Sequence, residues 1–493
     1  MKLFKKFASF VLAFTMVMAI AMPSVVKAAG NGSITVTGAK AGHTFEAYQI
    51  FAGDASGSTL SNLKWGSGVT LAGQTALGKA KDKADSLNDS SAAKDFAYEV
   101  SKYLATAAKE TNIYTNDNYV IDGLAPGYYL VKDKDGTVPQ EQAYTKFILE
   151  VVGTNVSAAV KSSVPTSEKK VKDTNDTTGE TTGWQDSADY DIGDQVPFQL
   201  TGNVADDYYQ YKGAYQLVFH DTLSDGLTVD RESFKVYKND GETAIDSSKY
   251  ELSFTDDQHF TVTIKNVKDL GTDVSKVSVE YTAKLNDKAA IGSAGNPNTM
   301  YMEFSNNPNS AQGGDKGQTP EDKVIVFTYK TVINKINSDK KRLTGAAFKL
   351  EKVLKNGSTK LVKEYKITDD EKDSNRTSFE FTGLDHGEYI LTETETPDGY
   401  NTMHPIKFSI TASHDTKSAD PKLTELNGDK DSGEIEFATN INEGTLTANV
   451  VNYKGSELPN TGGMGTTILY AAGVILILAA GAFLVMQKKA ENK

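Results

Sequence analysis

The chain of 493 residues has no cysteine, only six histidines and only twelve prolines. Without thiols it cannot form the disulfides that usually stabilise small secreted domains, nor cysteine-based metal sites. It also has no His-Glu-x-x-His and no Gly-x-Ser-x-Gly motif, so nothing indicates a hydrolase, a metal centre or a bound cofactor. The sequence therefore predicts a protein that is not an enzyme in the turnover sense. Any covalent reinforcement of its domains must come from bonds other than disulfides.

Both ends of the chain carry segments that predict export and anchoring. Residues 1–29 combine early lysines, an apolar run and a small-residue site, which predicts a secretory signal peptide. Residues 467–486 form an uncharged apolar run followed by Lys488 and Lys489, which predicts a transmembrane helix with a cytoplasmic C-terminus. The precursor would therefore be secreted and held in the membrane by its last helix.

The segment between these ends is strongly acidic. The formal net charge of the whole chain is −13, and the terminal segments are basic, with +4 in residues 1–29 and +2 after Thr461. Residues 30–461 therefore carry −19. So acidic a surface argues against nucleic acid or anionic lipid as a partner, and it suits a solvated extracellular rod.

The mature segment is long enough for three domains of the commonest size. Short runs rich in Val, Ile, Tyr, Phe and Thr alternate with polar residues between Gly, Asn and Asp turns, which predicts a mainly β fold of tandem antiparallel sandwiches. One helix is predicted, at residues 91–107. Polar linkers divide the mature chain into residues 30–163, 164–328 and 329–456, followed by an anchoring segment at 457–493.

Residues 458–462, Leu-Pro-Asn-Thr-Gly, stand just before the apolar run. The motif, carried by Leu458, Pro459, Thr461 and Gly462, resembles the cell-wall sorting signal of Gram-positive surface proteins. The resemblance implies that a membrane sortase cleaves after Thr461, is acylated by its carbonyl, and passes it to an amine. A pilus-type sortase would join identical subunits in this way, and a housekeeping sortase would join the chain to peptidoglycan. The alternative is a plain single-pass anchor.

Residues 343–350 and 389–400 carry a second resemblance. Residues 389–400 are similar to the E-box of Cna B-type domains in Gram-positive adhesins and pilins. Their sequence is Tyr-Ile-Leu-Thr-Glu-Thr-Glu-Thr-Pro-Asp-Gly-Tyr. The resemblance implies an immunoglobulin-like sandwich with an isopeptide bond between Lys335 and Asn452, catalysed by Glu393. Burial favours the neutral amine and the neutral carboxyl, so Lys335 would become nucleophilic and Glu393 would polarise the amide oxygen. The alternative is a solvated lysine, a strand-edge glutamate and a turn asparagine.

Residues 221–227, Asp-Thr-Leu-Ser-Asp-Gly-Leu, resemble the central Cna A-like domain of backbone pilins, also called the fimbrial isopeptide-forming D2 domain. The resemblance implies a second bond between a first-strand lysine and a late asparagine, with an acid as catalyst. Strand alternation favours Lys169 as the lysine and Asp221 as the acid. For the amide we choose Asn306, because it lies near the end of the domain, and Asn298 is the alternative. The plainer interpretation is a surface lysine and an unreacted asparagine.

The first domain does not continue this pattern. Asp133 occupies the position of the E-box glutamate, since residues 127–133 echo residues 387–393. However, the first strand offers no lysine, and Lys40 follows a glycine. We therefore expect no isopeptide bond in this domain.

Polymerisation would require an acceptor amine near the end of the first domain. Major pilins carry it in a Tyr-Pro-Lys motif, and this sequence has Ala-Val-Lys at residues 159–161, so the resemblance points to Lys161. Lys169 and Lys170 are the alternative acceptors. The plainer interpretation is that Lys161 is an ordinary solvated lysine of the linker.

The leading hypothesis is the structural backbone subunit of a covalent pilus, anchored in the cell wall of a Gram-positive bacterium. Its partners would be sortases, identical pilin subunits and peptidoglycan, with minor pilins and host surface ligands as further partners. The alternative is a monomeric wall-anchored adhesin that binds host protein or glycan.

Overall fold

The computed structural model describes residues 32–56, 59–311, 314–368, 370–428 and 435–454. The predicted signal peptide, the sorting motif at 458–462 and the apolar run at 467–486 lie outside these residues. Within the described ranges, no helix is long and apolar enough to cross a membrane. The predicted mainly β fold class is confirmed, because most of the regular structure consists of strands in several sheets.

Residues 32–159 form two sheets and three helices. One sheet has the order β5-β6-β1-β9 and the other has the order β3-β2-β7-β8, with β4 beside β2. The strands are β1 (Gly32–Thr37), β2 (Phe45–Ser56), β3 (Thr59–Trp65), β4 (Lys109–Thr111), β5 (Tyr114–Thr115), β6 (Asn118–Leu124), β7 (Gly127–Asp133), β8 (Ile148–Val152) and β9 (Asn155–Ala159). The helices are α1 (Leu71–Leu77), α2 (Ala80–Asp85) and α3 (Ser90–Ser101).

Alternation of side chains explains how these two sheets pack. In β1, Ile34 and Val36 are fully buried while the intervening residues are partly exposed. They join a core with Phe45 of β2 and Tyr129 of β7, which belong to the other sheet. The apolar face of each sheet is thus covered by the other.

The predicted helix at residues 91–107 is shorter in the structure, where α3 ends at Ser101. It begins near the expected residue because the Asp89 carboxylate caps its first N–H groups. Its end is set by tertiary pairing, since Ala105 N donates a hydrogen bond to Gly68 O at 2.9 Å. A backbone group that would extend the helix is therefore bonded to another segment.

The described chain divides into two compact units. The first contains the described residues up to Val171, together with Pro197–Ala283 and Pro297–Val324. The second contains Lys172–Val196, Lys284–Asn296 and the described residues from Ile325 onward. This division does not follow the predicted domain boundaries after residues 163 and 328, which stay predictions.

Residues 167–327 contribute strands to both units. The strands are β10 (Ser167–Val171), β11 (Thr174–Asn175), β12 (Glu180–Thr181), β13 (Ser187–Asp189), β14 (Gln195–Asn203), β15 (Leu217–Leu223), β16 (Leu227–Val229), β17 (Lys235–Lys238), β18 (Tyr250–Phe254), β19 (His259–Ile264), β20 (Lys276–Leu285), β21 (Asn296–Ser305), β22 (Lys316–Gln318) and β23 (Asp322–Phe327). Three 3₁₀ turns lie at Tyr208–Gln210, Ser247–Lys249 and Val267–Leu270. β10 pairs antiparallel with β14, and β15 lies between its antiparallel neighbours β19 and β21.

The remaining strands form a sandwich within the second unit. They are β24 (Tyr329–Asn337), β25 (Ala347–Val353), β26 (Thr359–Glu364), β27 (Ser378–Leu384), β28 (Gly387–Glu395), β29 (Ile406–His414), β30 (Leu423–Gly428), β31 (Phe437–Asn440) and β32 (Thr445–Asn452), with a short helix α4 (Glu371–Ser374). The sheets have the orders β27-β24-β32-β31 and β26-β25-β28-β29-β30. β24 and β32 run parallel, which corrects the expectation of purely antiparallel pairing. The first and last strands of this sandwich are therefore direct neighbours.

Candidate functional site

Three strands of the second unit each end their buried face with a polar residue. Side chains along β24, β28 and β32 largely alternate between buried and more exposed positions. The last buried residues on these faces are Lys335, Glu393 and Asn452, with 0%, 4% and 1% exposure. Period-two alternation therefore directs all three into the apolar interior. The predicted residues do meet there.

The side chains of this triad contact one another directly. Lys335 Nζ donates a hydrogen bond to Asn452 Oδ1 and lies 3.3 Å from Glu393 Oε1. Asn452 Nδ2 donates to Glu393 Oε1 at 2.9 Å and to Oε2 at 3.1 Å. The backbone N–H of Met403 holds the same carboxyl at 2.9 Å. We expected Glu393 at the amide oxygen, and the structure places it at the amide nitrogen instead.

The environment of Lys335 favours a nucleophilic amine. Burial lowers its pKa, although the charge and the hydrogen bond of Glu393 oppose that shift. The Phe348 ring, whose centroid lies 5.7 Å from Nζ, forms part of the surroundings. A neutral amine in contact with an amide and a carboxyl is the arrangement that acyl substitution at Asn452 would need.

A second buried lysine lies in the first unit. Lys169 is fully buried on β10, and its Nζ donates hydrogen bonds to Asp221 Oδ2 and, at 3.2 Å, to Tyr281 Oη. Tyr281 Oη donates to Asp221 Oδ1 at 3.2 Å and accepts from Asn298 Nδ2 at 2.7 Å. Asn298 is fully buried, and its Oδ1 has no hydrogen-bond partner among the described residues. Sequence reasoning found the lysine and the acid but missed Tyr281, for which no motif gives a signal.

Burial dominates the electrostatics of this second cluster. It lowers the pKa of Lys169, against the opposing charge and hydrogen bond of Asp221. It also raises the pKa of Asp221, against the opposing charge of Lys169. Both shifts favour the neutral forms, so burial promotes the transfer of a proton from the amine to the carboxyl.

The structure does not bring Asn306 to this pair, which corrects our choice of the amide. In the register of β15 and β21, Asp221 lies opposite Met300, so Asn298 is the next inward residue on that strand. Asn306 is six residues beyond Met300 and therefore about 20 Å along the chain from the level of Asp221. Its Nδ2 donates to Gln142 O at 3.3 Å. The alternative, Asn298, is the asparagine beside the cluster.

Comparisons with known proteins agree with this architecture. Residues 330–425 match the SpaA prealbumin-like fold domain family, and residues 450–493 match the LPXTG cell wall anchor motif. Over 403 residues the chain is 26% identical to the trypsin-resistant surface T6 protein of Streptococcus pyogenes serotype M6, covering 68% of this chain and 71% of that protein. The solved T6 backbone pilin of serotype M6, described as a modular three-domain structure, is similar in fold, with a TM-score of 0.57 and 19% identity over 86% of this chain and 99% of the other.

The chain is a wall-anchored Gram-positive surface protein with the backbone-pilin fold. The anchor match spans the predicted sorting residues Leu458, Pro459, Thr461 and Gly462. The predicted resemblance and the predicted localisation are therefore confirmed.

This pilin-fold protein has a third buried lysine, which sequence reasoning missed. Lys352 is fully buried, and its Nζ contacts Asp385 Oδ1, Asp191 Oδ2 at 3.0 Å and Asp176 Oδ2 at 3.5 Å. Burial acts to lower its pKa, but the charges of Asp385 and Asp191 outweigh it and raise the pKa. Lys352 is therefore held in its charged form by an ion pair, whereas burial lowers the pKa of Lys335 and Lys169. No motif marks it, because its carboxylates come from distant parts of the sequence.

Two groups of side chains in the second unit are spaced like metal ligands. They are Asp176, Asp191 and Asp194, and Asp173, Asp189 and His414. The Lys352 and Lys360 amines lie against the first group. In the second, burial opposes protonation of His414, but Asp173 and Asp189 outweigh it and raise its pKa. Positive charge beside each group thus comes from the protein's own side chains.

Asp133 in the first domain faces a histidine. This residue is 1% exposed, and its Oδ1 lies 2.6 Å from His43 Nδ1. Its Oδ2 accepts a hydrogen bond from Thr145 N at 2.6 Å. Lys40 is exposed on the surface. Asp133 thus faces a histidine, whereas Glu393, at the corresponding position of residues 387–393, faces a lysine.

Of the proposed acceptor lysines, Lys161 is exposed, whereas Lys169 is fully buried. Burial removes Lys169 as an acceptor for another subunit. Lys170 is half-buried and paired with Glu168 Oε1 at 2.8 Å. The backbone of Lys161 is fixed on both sides, since its N–H donates to Thr145 Oγ1 at 2.9 Å and its carbonyl accepts from Lys146 N at 3.2 Å.

Proposed function

We propose that this chain is the backbone subunit of a covalent pilus. Sortase would join the Thr461 carbonyl of one subunit to Lys161 of the next, and two intramolecular isopeptide bonds would stabilise each subunit. The observation that carries the proposal is the buried contact of Lys335 with Asn452 and Glu393. The wall-anchor match and the similarity to a backbone pilin support it.

The geometry of the second unit suggests how its bond would form. A proton passes from the Lys335 ammonium to Glu393, leaving a neutral amine and a carboxylic acid. Nζ then attacks Asn452 Cγ, and Glu393 donates its proton to Nδ2, which it already contacts at 2.9 Å. The C–N bond to Lys335 forms, the bond to Nδ2 breaks, ammonia leaves, and the Glu393 carboxylate takes the remaining amine proton from Nζ. Glu393 acts at the leaving group, because it lies beside both nitrogens.

In the first unit, Lys169 and Asn298 would react in the same way, with Asp221 as the proton carrier. Tyr281 Oη lies between the amine and the amide nitrogen, at 3.2 and 2.7 Å, and also contacts Asp221 at 3.2 Å. It can therefore relay a proton from the carboxyl to the departing nitrogen. Among the described residues no hydrogen bond to Oδ1 of Asn298 holds its carbonyl away from the amine.

The placement of the bond in the second unit explains its mechanical value. Lys335 and Asn452 lie 117 residues apart on the first and last strands of the sandwich. A covalent link between these strands would carry a pulling force directly, so the sheet hydrogen bonds between them would not have to separate. Such a bond is also insensitive to reducing agents, which suits an exported chain without cysteine.

The assembly is tested by replacing Lys161 with Arg in the full chain, in cells that contain its sortases. The proposal predicts a ladder of high-mass species in wall extracts of the wild type and its collapse to monomer in the variant. The matched control is Lys146→Arg, which changes a nearby lysine and should leave the ladder intact. A single anchored band in the wild type would contradict polymerisation and favour the adhesin.

A further inference from the structure

Four lysines line one cleft in the first unit. The cleft has a volume of about 770 Å³, and its lysines are Lys94, Lys146, Lys161 and Lys212. Asp95 is the one acid among the described residues of this lining. The cleft therefore carries an excess of positive charge, although residues 30–461 as a whole carry −19. A local field of this sign attracts anionic groups.

Direct contacts connect the walls of this lysine-lined cleft. Lys161 is level with Lys146, since its carbonyl accepts a hydrogen bond from Lys146 N at 3.2 Å. Lys146 Nζ donates to Gln210 Oε1 at 3.0 Å. Two residues further along the chain, Lys212 Nζ lies 3.3 Å from Asp95 Oδ1 on helix α3. A chain of contacts thus runs from the proposed acceptor lysine across the cleft to α3.

Two of the four amines have no carboxylate partner. Lys146 Nζ lies 2.7 Å from Asp207 Oδ2, so its charge is balanced, like that of Lys212. Lys94 and Lys161 are exposed instead, and neither forms an ion pair within the described part of the chain. Lys94 is thus the cation of this cleft that is free to bind an anion while Lys161 serves as the acceptor.

A second, largely apolar cleft adjoins the first. It has a volume of about 280 Å³, and Lys94 and Lys161 line both clefts. Most of its lining is apolar, Leu149 of β8 included. Its two acids are Asp89, which is engaged as the cap of α3, and Glu150. The two lysines therefore stand where a cationic space meets an apolar one, which suits a ligand with an acid beside an apolar residue.

The C-terminal segment of the mature chain has this pattern. Residues 455–461, Gly-Ser-Glu-Leu-Pro-Asn-Thr, follow the last residue that the structure describes. Glu457 stands directly before Leu458 and Pro459, and four positions before Thr461. An extended chain spans at most about 14 Å over four residues, so Glu457 stays within that distance of Thr461. Delivery of Thr461 to Lys161 would therefore bring an acid and a leucine to the same two clefts.

We propose that the lysine-lined cleft binds Glu457 of a second copy of this chain, with Lys94 as its ion-pair partner. The apolar cleft takes Leu458 of the same copy. This inference rests on the proposed function, which brings Thr461 to Lys161. Two copies as acidic as this chain repel each other over most of their surface, so the cleft selects the face at which a second copy can approach. Lys94 is a positioning residue, because it orients the incoming segment and takes no part in the acyl transfer.

The experiment measures the initial rate at which sortase transfers a labelled peptide of residues 455–463 to the mature chain. We expect Lys94→Glu to lower this rate by about two- to fivefold, which is the size of an exposed ion pair. With a Glu457→Lys peptide the sign should reverse, so that Lys94→Glu is the faster acceptor. Sortase meets the same peptide in each comparison, so its own preference cancels. Both effects should shrink as the salt concentration rises, because salt screens exposed charges.

The matched control is Lys40→Glu. It makes the same charge change at an exposed lysine of the first domain that lies outside both clefts. Its rate should equal that of the wild type with either peptide. Thermal melts should show that Lys94→Glu keeps the wild-type melting temperature, because Lys94 is exposed and forms no ion pair within the described residues.

A wild-type rate in Lys94→Glu would overturn the inference, and so would an equal loss with both peptides. Unchanged transfer together with lost binding to heparin would assign the cleft to an anionic glycan and overturn it as well. Mapping of the modified lysine separates these outcomes from failure of the proposed function. Transfer to Lys161 that does not depend on Lys94 refutes only the role of the cleft. Transfer to another lysine refutes the proposed acceptor itself.

Discussion

Glu393 Oε1 lies 3.3 Å from Lys335 Nζ and accepts a hydrogen bond from the amide nitrogen of Asn452 at 2.9 Å. One carboxyl thus touches both the group that would attack and the group that would leave. All three residues are at most 4% exposed. Because so little water can reach this site, the proposed reaction would depend on this carboxyl for proton transfer.

Replacing that carboxyl should abolish the bond. In Glu393→Gln we expect the intact mass to rise by one ammonia relative to the wild type, after allowance for the substitution. Loss of a cross-link that closes a loop of more than 100 residues should lower the free energy of unfolding by about 5 kcal/mol. Mass spectrometry and thermal melts measure the two effects. Glu395→Gln, an exposed residue two positions along β28, should leave both unchanged.

The second cluster predicts a difference between two asparagines. The mass of Asn298→Ala should exceed by one ammonia the mass calculated for a variant with two bonds. The reason is that the amide it loses is the one beside Lys169 and Tyr281. Asn306→Ala should keep both bonds, since its amide contacts Gln142 instead. Intact mass of the two variants checks this. The opposite pattern would restore Asn306 as the reacting residue.

Lys352 should behave as an ion pair and not as a bond-forming residue. Lys352→Met leaves the carboxylates of Asp385 and Asp191 without their cation, which should destabilise the domain by about 3–5 kcal/mol. Burial raises the pKa of Asp385, so lowering the pH should protonate it in the variant and reduce the loss. Thermal melts across pH measure this. Lys349→Met, which breaks a more exposed pair with Glu351, should cost less than about 1 kcal/mol. A change in the ammonia deficit of Lys352→Met would contradict the account.

The first domain should lose stability as the pH rises above the ordinary histidine pKa of 6.5. Burial opposes protonation of His43, but Asp133 and Gln142 outweigh it and raise its pKa above the ordinary 6.5. The protonated pair therefore stabilises the fold fully below about pH 6.5, and this contribution disappears as the pH rises through the raised value. His43→Gln should flatten that dependence in thermal melts. His259→Gln, an exposed site, should not.

Strand alternation favours Lys169 and Asp221, because an inward-facing polar residue keeps its period of two. Lys335 and Glu393 are instead indicated by the resemblance of residues 389–400 to the E-box of Cna B-type domains. Alternation could not choose between Asn298 and Asn306, which the sequence pattern places on one face of a single strand, whereas β21 ends at Ser305. That choice depends on the register between β15 and β21, which alternation does not specify. Alternation does not specify strand direction either, so it could not show that β24 and β32 run parallel.

The surroundings of Lys352 could not be predicted at all. Its carboxylates lie up to 176 positions away along the chain, and only the folded structure brings them together. Tyr281 poses a similar difficulty. A tyrosine in a β-strand is usually a core residue, and only its hydrogen bonds mark it as part of the cluster.

The intact mass of the mature chain, residues 30–461, tests the central claim most directly. The account predicts a mass lower than that calculated from the sequence by two ammonia molecules, with cross-linked peptides joining Lys335 to Asn452 and Lys169 to Asn298. A mass equal to the calculated value would contradict the account, because it would leave both buried triads as unreacted polar clusters.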